Sequence, residues 1–230
     1  MSARHLPTTA GPFRSFVYAL AGLSLLSLGF FAVESWWNQN LSDWYLIWNL
    51  FLAWIPLGLS AMLVNLLQKQ LWSSWSAIGL SLAWLVFLPN SFYMVSDFIH
   101  LQDMPRSNVL FDSLMFTVFI LNGLILGYAS LYLVQRELRK RLSAIKTTLI
   151  VGAIFFSCSF AIYLGRDLRW NSWDVLVNPA GIVFDISERI IRPFAYPEAF
   201  SVTLMFFAFL GGLYWVVWSM MRSLRRLAKS

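Results

Sequence analysis

Six long apolar segments dominate the pattern of hydrophobic and polar positions along the chain. An α-helix rises about 1.5 Å per residue, so about 20 residues cross the hydrocarbon core of a bilayer. A helix also satisfies its own backbone hydrogen bonds, which a lipid environment requires. The pattern predicts an all-α, polytopic transmembrane helical bundle that forms a single domain over residues 1–230. The six predicted membrane-spanning helices cover residues 15–33, 44–67, 71–95, 112–135, 147–165 and 199–221.

The connection before the last span is the longest, and it contains a predicted helix of its own. Asn178 followed by Pro179 is a typical helix start, with proline at the first helical position. In the segment that follows, charged side chains recur on one face and branched apolar side chains on the other. We therefore expect an amphipathic interfacial helix over residues 179–192, on the extracytoplasmic surface of the membrane. Its charged positions are Asp185, Glu188, Arg189 and Arg192.

The composition excludes a sizeable water-facing domain. Charged residues make up 12% of the chain, against roughly 25% in soluble domains. The basic residues concentrate in short connections between spans, so the excess of positive charge does not indicate a nucleic-acid partner. The expected partners are membrane lipids and other membrane proteins.

The basic residues also predict an orientation. Of the 17 Lys and Arg residues, 12 lie in the N-terminus, the second and fourth connections and the C-terminus. Positive residues favour the cytoplasmic side, so both termini are expected inside. The acidic residues are divided even more unequally between the two sides, because Glu137 is the only one of 11 on the predicted cytoplasmic side.

Small residues on two predicted helices indicate close helix packing, because they let backbones approach each other within a membrane. The fourth helix has a GxxxG pair and the fifth has small residues at four-residue spacing, so we expect these two helices to be in close contact. The small residues are Gly123, Gly127, Ala153, Ser157, Ala161 and Gly165.

Two polar stretches follow the third and fifth spans: LPNSFYMVSDFIHL over residues 88–101 and YLGRDLRWNSWD over residues 163–174. With six alternating spans, both emerge on the extracytoplasmic side, and we expect them to meet there. Asp112, at the start of the fourth helix, belongs to the same side. Carboxylates and a histidine suit acid–base catalysis or a hard metal, whereas arginine binds phosphate or carboxylate with two hydrogen bonds.

The candidate site residues divide by this chemistry. The candidate catalytic residues are Asp97, His100, Asp112, Asp167 and Asp174. The candidate substrate-binding residues are Arg166, Arg169, Trp170, Asn171, Trp173, Asn90 and Tyr93. If the fifth helix continues beyond the bilayer, four residues form one polar stripe on it: Asp167, Asn171, Asp174 and Asn178.

The same residues also have a purely structural interpretation. Asp and Arg side chains at helix ends often hold loops together, and tryptophan is common at membrane interfaces. His100 is the only histidine among the candidates, which disfavours a zinc site of the usual type. No HExxH, GxSxG or P-loop motif occurs, so the sequence identifies neither a metal nor a cofactor.

The two polar stretches, together with FDSLMFTVFILNGLILGYASLYLV over residues 111–134, resemble a family of bacterial membrane proteins called domain of unknown function 1361 (DUF1361). The resemblance covers roughly residues 40–220. It implies a multi-pass protein of the bacterial cytoplasmic (inner) membrane and brings no activity with it. The matching positions are Pro89, Asn90, Tyr93, Asp97, His100, Arg166, Arg169, Trp170, Asn171, Trp173 and Asp174.

Three functional hypotheses follow from the sequence. The first is a membrane scaffold or assembly partner, in which the extracytoplasmic Asp/His/Arg/Trp network is architectural. The second is a membrane-embedded hydrolase or transferase that acts on a lipid-linked or phosphorylated substrate. The third is a transporter or channel component, which the lack of ionisable residues in the middle of the spans disfavours.

Overall fold

The structure is a computed structural model that describes residues 10–103 and 109–227. Within these ranges the chain is helical and contains no strand, which confirms the predicted all-α fold class. The helices are α1 (Ala10–Asn38), α2 (Tyr45–Leu66), α3 (Trp75–Tyr93), α4 (Val109–Arg139), α5 (Ala144–Asp167), α6 (Asp174–Val177), α7 (Pro179–Ile191) and α8 (Pro197–Leu227). Three 3₁₀ segments accompany them: Ser42–Trp44, Met94–Asp103 and Pro193–Ala195.

Six of the described helices are long and apolar enough to cross a membrane: α1, α2, α3, α4, α5 and α8. This confirms the number of spans that the hydrophobic pattern predicts, and the chain is a multi-pass membrane protein. Its spanning helices contact lipid. The short helices α6 and α7 lie in the connection between α5 and α8.

The core of the bundle forms around α4, which packs against α1, α2 and α3. Helices α2 and α3 are joined by a short turn and pack against each other as an antiparallel hairpin. Bulky apolar side chains fill the space between these helices, and Phe92, Phe116 and Phe119 are fully buried there. Helix α8 lies apart from this group and packs mainly against α5.

Polar side chains from α3 and α4 support α2 around Pro56, which lies inside that helix. Proline has no N–H group and interrupts the hydrogen bonds of the helix that contains it. The Ser130 hydroxyl donates to the Pro56 carbonyl at 2.9 Å, and the Ser91 hydroxyl donates to the Ala53 carbonyl at 2.9 Å. These bonds join three helices where lipid offers no alternative partner.

Gly123 and Gly127 of α4 face α3 instead of α5. A Cβ atom at Gly123 would lie 2.6 Å from the Ser91 carbonyl oxygen, and one at Gly127 would lie 2.6 Å from Phe92 Cε1. The two glycines therefore allow the close approach of α3 and α4. The expectation that they pair with the fifth helix is wrong, because α3 occupies the face of α4 on which they lie.

Helix α7 turns Asp185 and Arg189 towards the protein, while four of its apolar side chains point outwards. Arg189 is buried, while Val183, Phe184, Ile190 and Ile191 are all exposed. An outward apolar face on a short helix beside a membrane-spanning bundle suits contact with lipid at the interface.

We expect Gly123→Ala to lower the free energy of unfolding by about 1–3 kcal/mol, because the new methyl group would collide with the Ser91 backbone. The control is Gly79→Ala in α3, where a Cβ atom would meet nothing within 4 Å. That change should stabilise the helix by roughly 0.5–1 kcal/mol. Unfolding titrations in detergent micelles measure both, and equal effects of the two substitutions would contradict the packing described.

Candidate functional site

The polar stretches of the sequence lie at the end of the bundle where α1, α3 and α5 finish, here called the Asp97 end. The opposite end, where α4 finishes, is called the Glu137 end. At the Asp97 end the Asn90 side-chain amide donates to Ser172 Oγ at 2.8 Å. The Ser172 hydroxyl in turn donates to the Val86 carbonyl at 3.2 Å. The stretches that follow the third and fifth spans therefore meet.

Between these stretches lies a cavity of about 460 Å³, here called the Asp97 cavity. Its walls come from α2, α3, α5 and α7 and from the loop that follows α5. A cavity of this size falls within the range of sites for small molecules. Six of the predicted site residues line it: Asn90, Tyr93, Asp97, His100, Trp170 and Asn171.

Asp97 is the most enclosed polar group of this cavity. Its side chain is buried, and the Asn49 side-chain amide of α2 donates to Asp97 Oδ2 at 3.3 Å. His100 lies on the same face of the 3₁₀ segment, where residues three apart align. It is exposed, and its ring centroid lies 5.3 Å from that of Tyr45. The cavity thus has a carboxylate in its interior and an imidazole nearer the surface.

The other six predicted site residues do not line the cavity; they are Asp112, Asp167, Asp174, Arg166, Arg169 and Trp173. Asp112 is buried in the first turn of α4, where a carboxylate suits the helix dipole, and it neighbours Glu34 of α1. Asp174 accepts a hydrogen bond from the backbone N–H of Asn171 at 2.7 Å, which shapes the turn before α6. Asp174 therefore has a structural role, whereas Asp112 is a buried carboxylate with one oxygen that has no hydrogen-bond partner among the described residues.

The condition for a polar stripe on an extended fifth helix is not met, because α5 ends at Asp167. Arg166 and Asp167 occupy its last turn. Arg169 then adopts a left-handed backbone conformation with φ of 60°, and the Trp170 N–H donates to the Leu164 carbonyl at 3.2 Å. The chain turns back on α5 here, so Asn171 and Trp170 reach the cavity instead of continuing a helix.

A network of charged and aromatic side chains holds α7 against the end of α5. The Trp170 indole donates to Asp185 Oδ2 at 2.7 Å, and the Arg189 guanidinium donates to Asp185 Oδ1 at 3.0 Å. The guanidinium lies between two aromatic rings, 5.9 Å from the centroid of Tyr163 and 4.7 Å from that of Tyr196. Burial alone would lower the pKa of Arg189, but Tyr163 and Asp185 raise it above its ordinary value, so the side chain stays charged.

The sequence interpretation missed the contribution of α2 to the site. Tyr45, Trp48 and Asn49 line the Asp97 cavity, and the edge of Trp173 packs on Trp48 with centroids 6.4 Å apart. The spacing of these three α2 residues could have indicated a shared site in the sequence, because residues three and four apart lie on one face of a helix.

The cavity brings together part of the predicted catalytic set. Of the five candidate catalytic residues, Asp97 and His100 line the cavity and the other three lie elsewhere. Among the described residues, no group of three or more His, Cys, Asp or Glu side chains could hold a metal ion. What converges on the cavity is one carboxylate, one imidazole, several side-chain amides and a set of aromatic rings.

Comparison with known proteins agrees with the resemblance noted from the polar stretches. A family model described as "Protein of unknown function (DUF1361)" matches residues 48–217. This range includes the whole Asp97 cavity except Tyr45, and it excludes α1. Comparison with curated proteins and with solved structures gave no match.

We expect Arg189→Gln to lower the free energy of unfolding by about 3 kcal/mol, because it leaves the Asp185 carboxylate without its cation. Arg192→Gln on the same helix is the matched control. Arg192 is 68% exposed and its nearest contact to Glu188 is 3.8 Å, so its loss should cost no more than about 0.5 kcal/mol. Denaturant titration in micelles distinguishes the two, and a small effect of both would show that the network does not hold α7.

Arg169→Gly should leave the free energy of unfolding unchanged or raise it by up to about 1 kcal/mol, because glycine adopts a positive φ without a steric penalty. Ala153→Gly is the control, since Ala153 is exposed in the middle of α5 and its replacement should cost about 0.5–1 kcal/mol. A clear destabilisation by Arg169→Gly would mean that the Arg169 side chain makes contacts that matter for folding.

Proposed function

The chain belongs to the DUF1361 family, and for this member we propose a ligand-binding role, in which the Asp97 cavity holds the polar head of an amphipathic molecule. The observation that carries the proposal is the cavity itself. It measures about 460 Å³, and its lining includes residues of α2, α3 and α5, which are long and apolar enough to cross a membrane. An amphipathic molecule in the bilayer can place its head there while its chain stays in lipid.

The lining favours a head group that is uncharged and rich in hydroxyls. Asp97 accepts hydrogen bonds, and the amides of Asn90 and Asn171 can both donate and accept. The rings of Trp48 and Trp170 provide apolar faces beside these polar groups. No arginine that the structure describes lines the cavity, so these residues offer no guanidinium to neutralise a phosphate. A glycolipid or glyceride fits this chemistry better than the phosphorylated substrate that Arg166 and Arg169 suggest in the sequence.

The proposal includes an orientation. We propose that the chain lies in the cytoplasmic membrane of a bacterium, with both termini inside and the Asp97 end outside. The support is the distribution of charge, since basic residues concentrate in the connections and terminus at the Glu137 end.

A scaffold role is the second candidate, and the α7 network favours it. Asp185 and Arg189 satisfy each other within the chain, and Asp174 fixes a turn, so part of the polar network has an architectural purpose. A scaffold needs no occupant in the cavity. A hydrolase or transferase would use Asp97 and His100 as its acid and base, and a transporter would need ionisable groups midway along its spans.

A substitution that fills the Asp97 cavity distinguishes the ligand-binding role from the scaffold role. We expect Ala161→Phe to reduce labelling by a photoreactive monoacylglycerol, with a diazirine in its acyl chain, by about tenfold. Ala161 lines the cavity from α5, and a phenyl group would occupy the space of the head group. The labelled peptides in the unchanged protein should come from α2, the end of α3 and residues 164–175. Mass spectrometry of digests from reconstituted vesicles measures the labelling.

Ala153→Phe is the matched control, because Ala153 lies on the same helix, is exposed and does not line the cavity. It should leave labelling unchanged. A lysophosphatidic acid probe with the same chain and diazirine should label the cavity peptides weakly. Equal labelling of the Ala161→Phe and Ala153→Phe proteins, both shown to be folded by size-exclusion chromatography, would contradict ligand binding and favour the scaffold.

A further inference from the structure

A second cavity, of about 390 Å³, lies near the Glu137 end between α4, α5 and α8, and is here called the α4–α8 cleft. It exists because α8 packs against α5 and reaches α4 through long side chains. The Tyr128 hydroxyl donates to the Leu210 carbonyl at 2.9 Å, and Tyr214 is hydrogen-bonded to Gln135. These bonds bridge two helices and leave a groove beside them.

Three glycines contribute to the wall of the cleft. Gly152 of α5 and Gly211 and Gly212 of α8 line the cleft, and a Cβ atom at any of them would meet nothing within 4 Å. Unlike Gly123, these glycines are not required for the close approach of a neighbouring backbone. They leave a smooth channel along the helices that an extended acyl chain can occupy.

Two arginines lie at the membrane-surface end of this groove. Arg139 comes from α4 and Arg222 from α8, and both line the cleft and are exposed. Neither forms an ion pair with another residue that the structure describes. The Arg139 guanidinium lies 4.5 Å from the ring centroid of Trp218, which also lines the cleft.

The only acid at this end is already paired. Glu137 is buried and binds Lys140 and Arg141 at 2.5 Å and 3.0 Å, respectively. It therefore does not neutralise Arg139 or Arg222. The cleft combines an apolar channel, an interfacial tryptophan and two cationic groups without a carboxylate partner among the described residues.

We propose that the α4–α8 cleft is a binding site for an anionic phospholipid. Guanidinium groups bind phosphate oxygens with paired, charge-assisted hydrogen bonds. Basic pockets between membrane-spanning helices are a usual place for anionic lipid head groups. One acyl chain lies along Gly152, Gly211 and Gly212, and the phosphate lies between the two arginines. The proposal uses no residue of the Asp97 cavity and stands independently of the function proposed for it.

Native mass spectrometry of the full-length protein in detergent tests the site, with dioleoyl phosphatidylglycerol and dioleoyl phosphatidylcholine as probes. The unchanged protein should bind phosphatidylglycerol more tightly. The double variant Arg139→Gln/Arg222→Gln should weaken phosphatidylglycerol binding by about tenfold or more and bring it close to that of phosphatidylcholine. Glycerol 3-phosphate, which lacks acyl chains, should not compete.

The matched control is Arg136→Gln/Arg226→Gln, which removes the same charge from exposed residues at the same end that do not line the cleft. It should leave binding within about twofold of the unchanged protein. Gly211→Leu blocks the channel and keeps both arginines, and it should weaken the binding of phosphatidylglycerol about tenfold. Equal losses in the two double variants would show a diffuse charge effect and overturn the site, as would full binding by the Gly211→Leu protein in its folded form.

Discussion

The buried ion pair between Asp185 and Arg189 is the interaction on which the Asp97 end depends. It couples α7 to the Trp170 indole in the loop after α5, and the Tyr163 and Tyr196 rings enclose the guanidinium. If this pair were broken, the charges of Asp185 and Arg189 would be unpaired on the side of α7 opposite its exposed apolar side chains. With it, the helix presents charge to the protein and apolar side chains to lipid, and Ile182 and Ile186 become part of the cavity wall.

The two ends of the bundle use polar groups in different ways. At the Asp97 end Arg189 is paired with Asp185, and the cavity is lined by one carboxylate, an imidazole, amides and aromatic rings. At the Glu137 end the acid is paired and two arginines remain at the mouth of an apolar groove. An uncharged head group and an anionic head group are the matching ligands. A bilayer supplies molecules of both kinds with chains long enough to remain in the hydrocarbon.

Much of the fold follows from the sequence because the bilayer restricts the choices. A helix needs about 20 apolar residues to cross it, and alternating spans bring residues 88–101 and 163–174 to one end. Which helix faces pack against each other does not follow from the sequence. The spacing of the small residues shows that Gly123 lies on a face of α4 built from small side chains, but not that α3 packs on that face. In the same way, the pattern of α7 places Asp185 and Arg189 on one face without showing that this face turns inwards, and the reversal at Arg169 has no signal in the residue type.

Spin labelling of α7 in lipid vesicles tests the inward-facing charged side most directly. Single cysteines at positions 182, 183, 184 and 186, in a Cys158→Ser background, would carry the label and leave the Asp185–Arg189 pair intact. Collision with oxygen reports lipid, and collision with a water-soluble nickel complex reports water. The account predicts high oxygen accessibility at 183 and 184, and lower oxygen accessibility with little nickel accessibility at 182 and 186, which share a helix face with the pair. High accessibility of positions 182 and 186 to the nickel complex would contradict it, because that face would then lie in water.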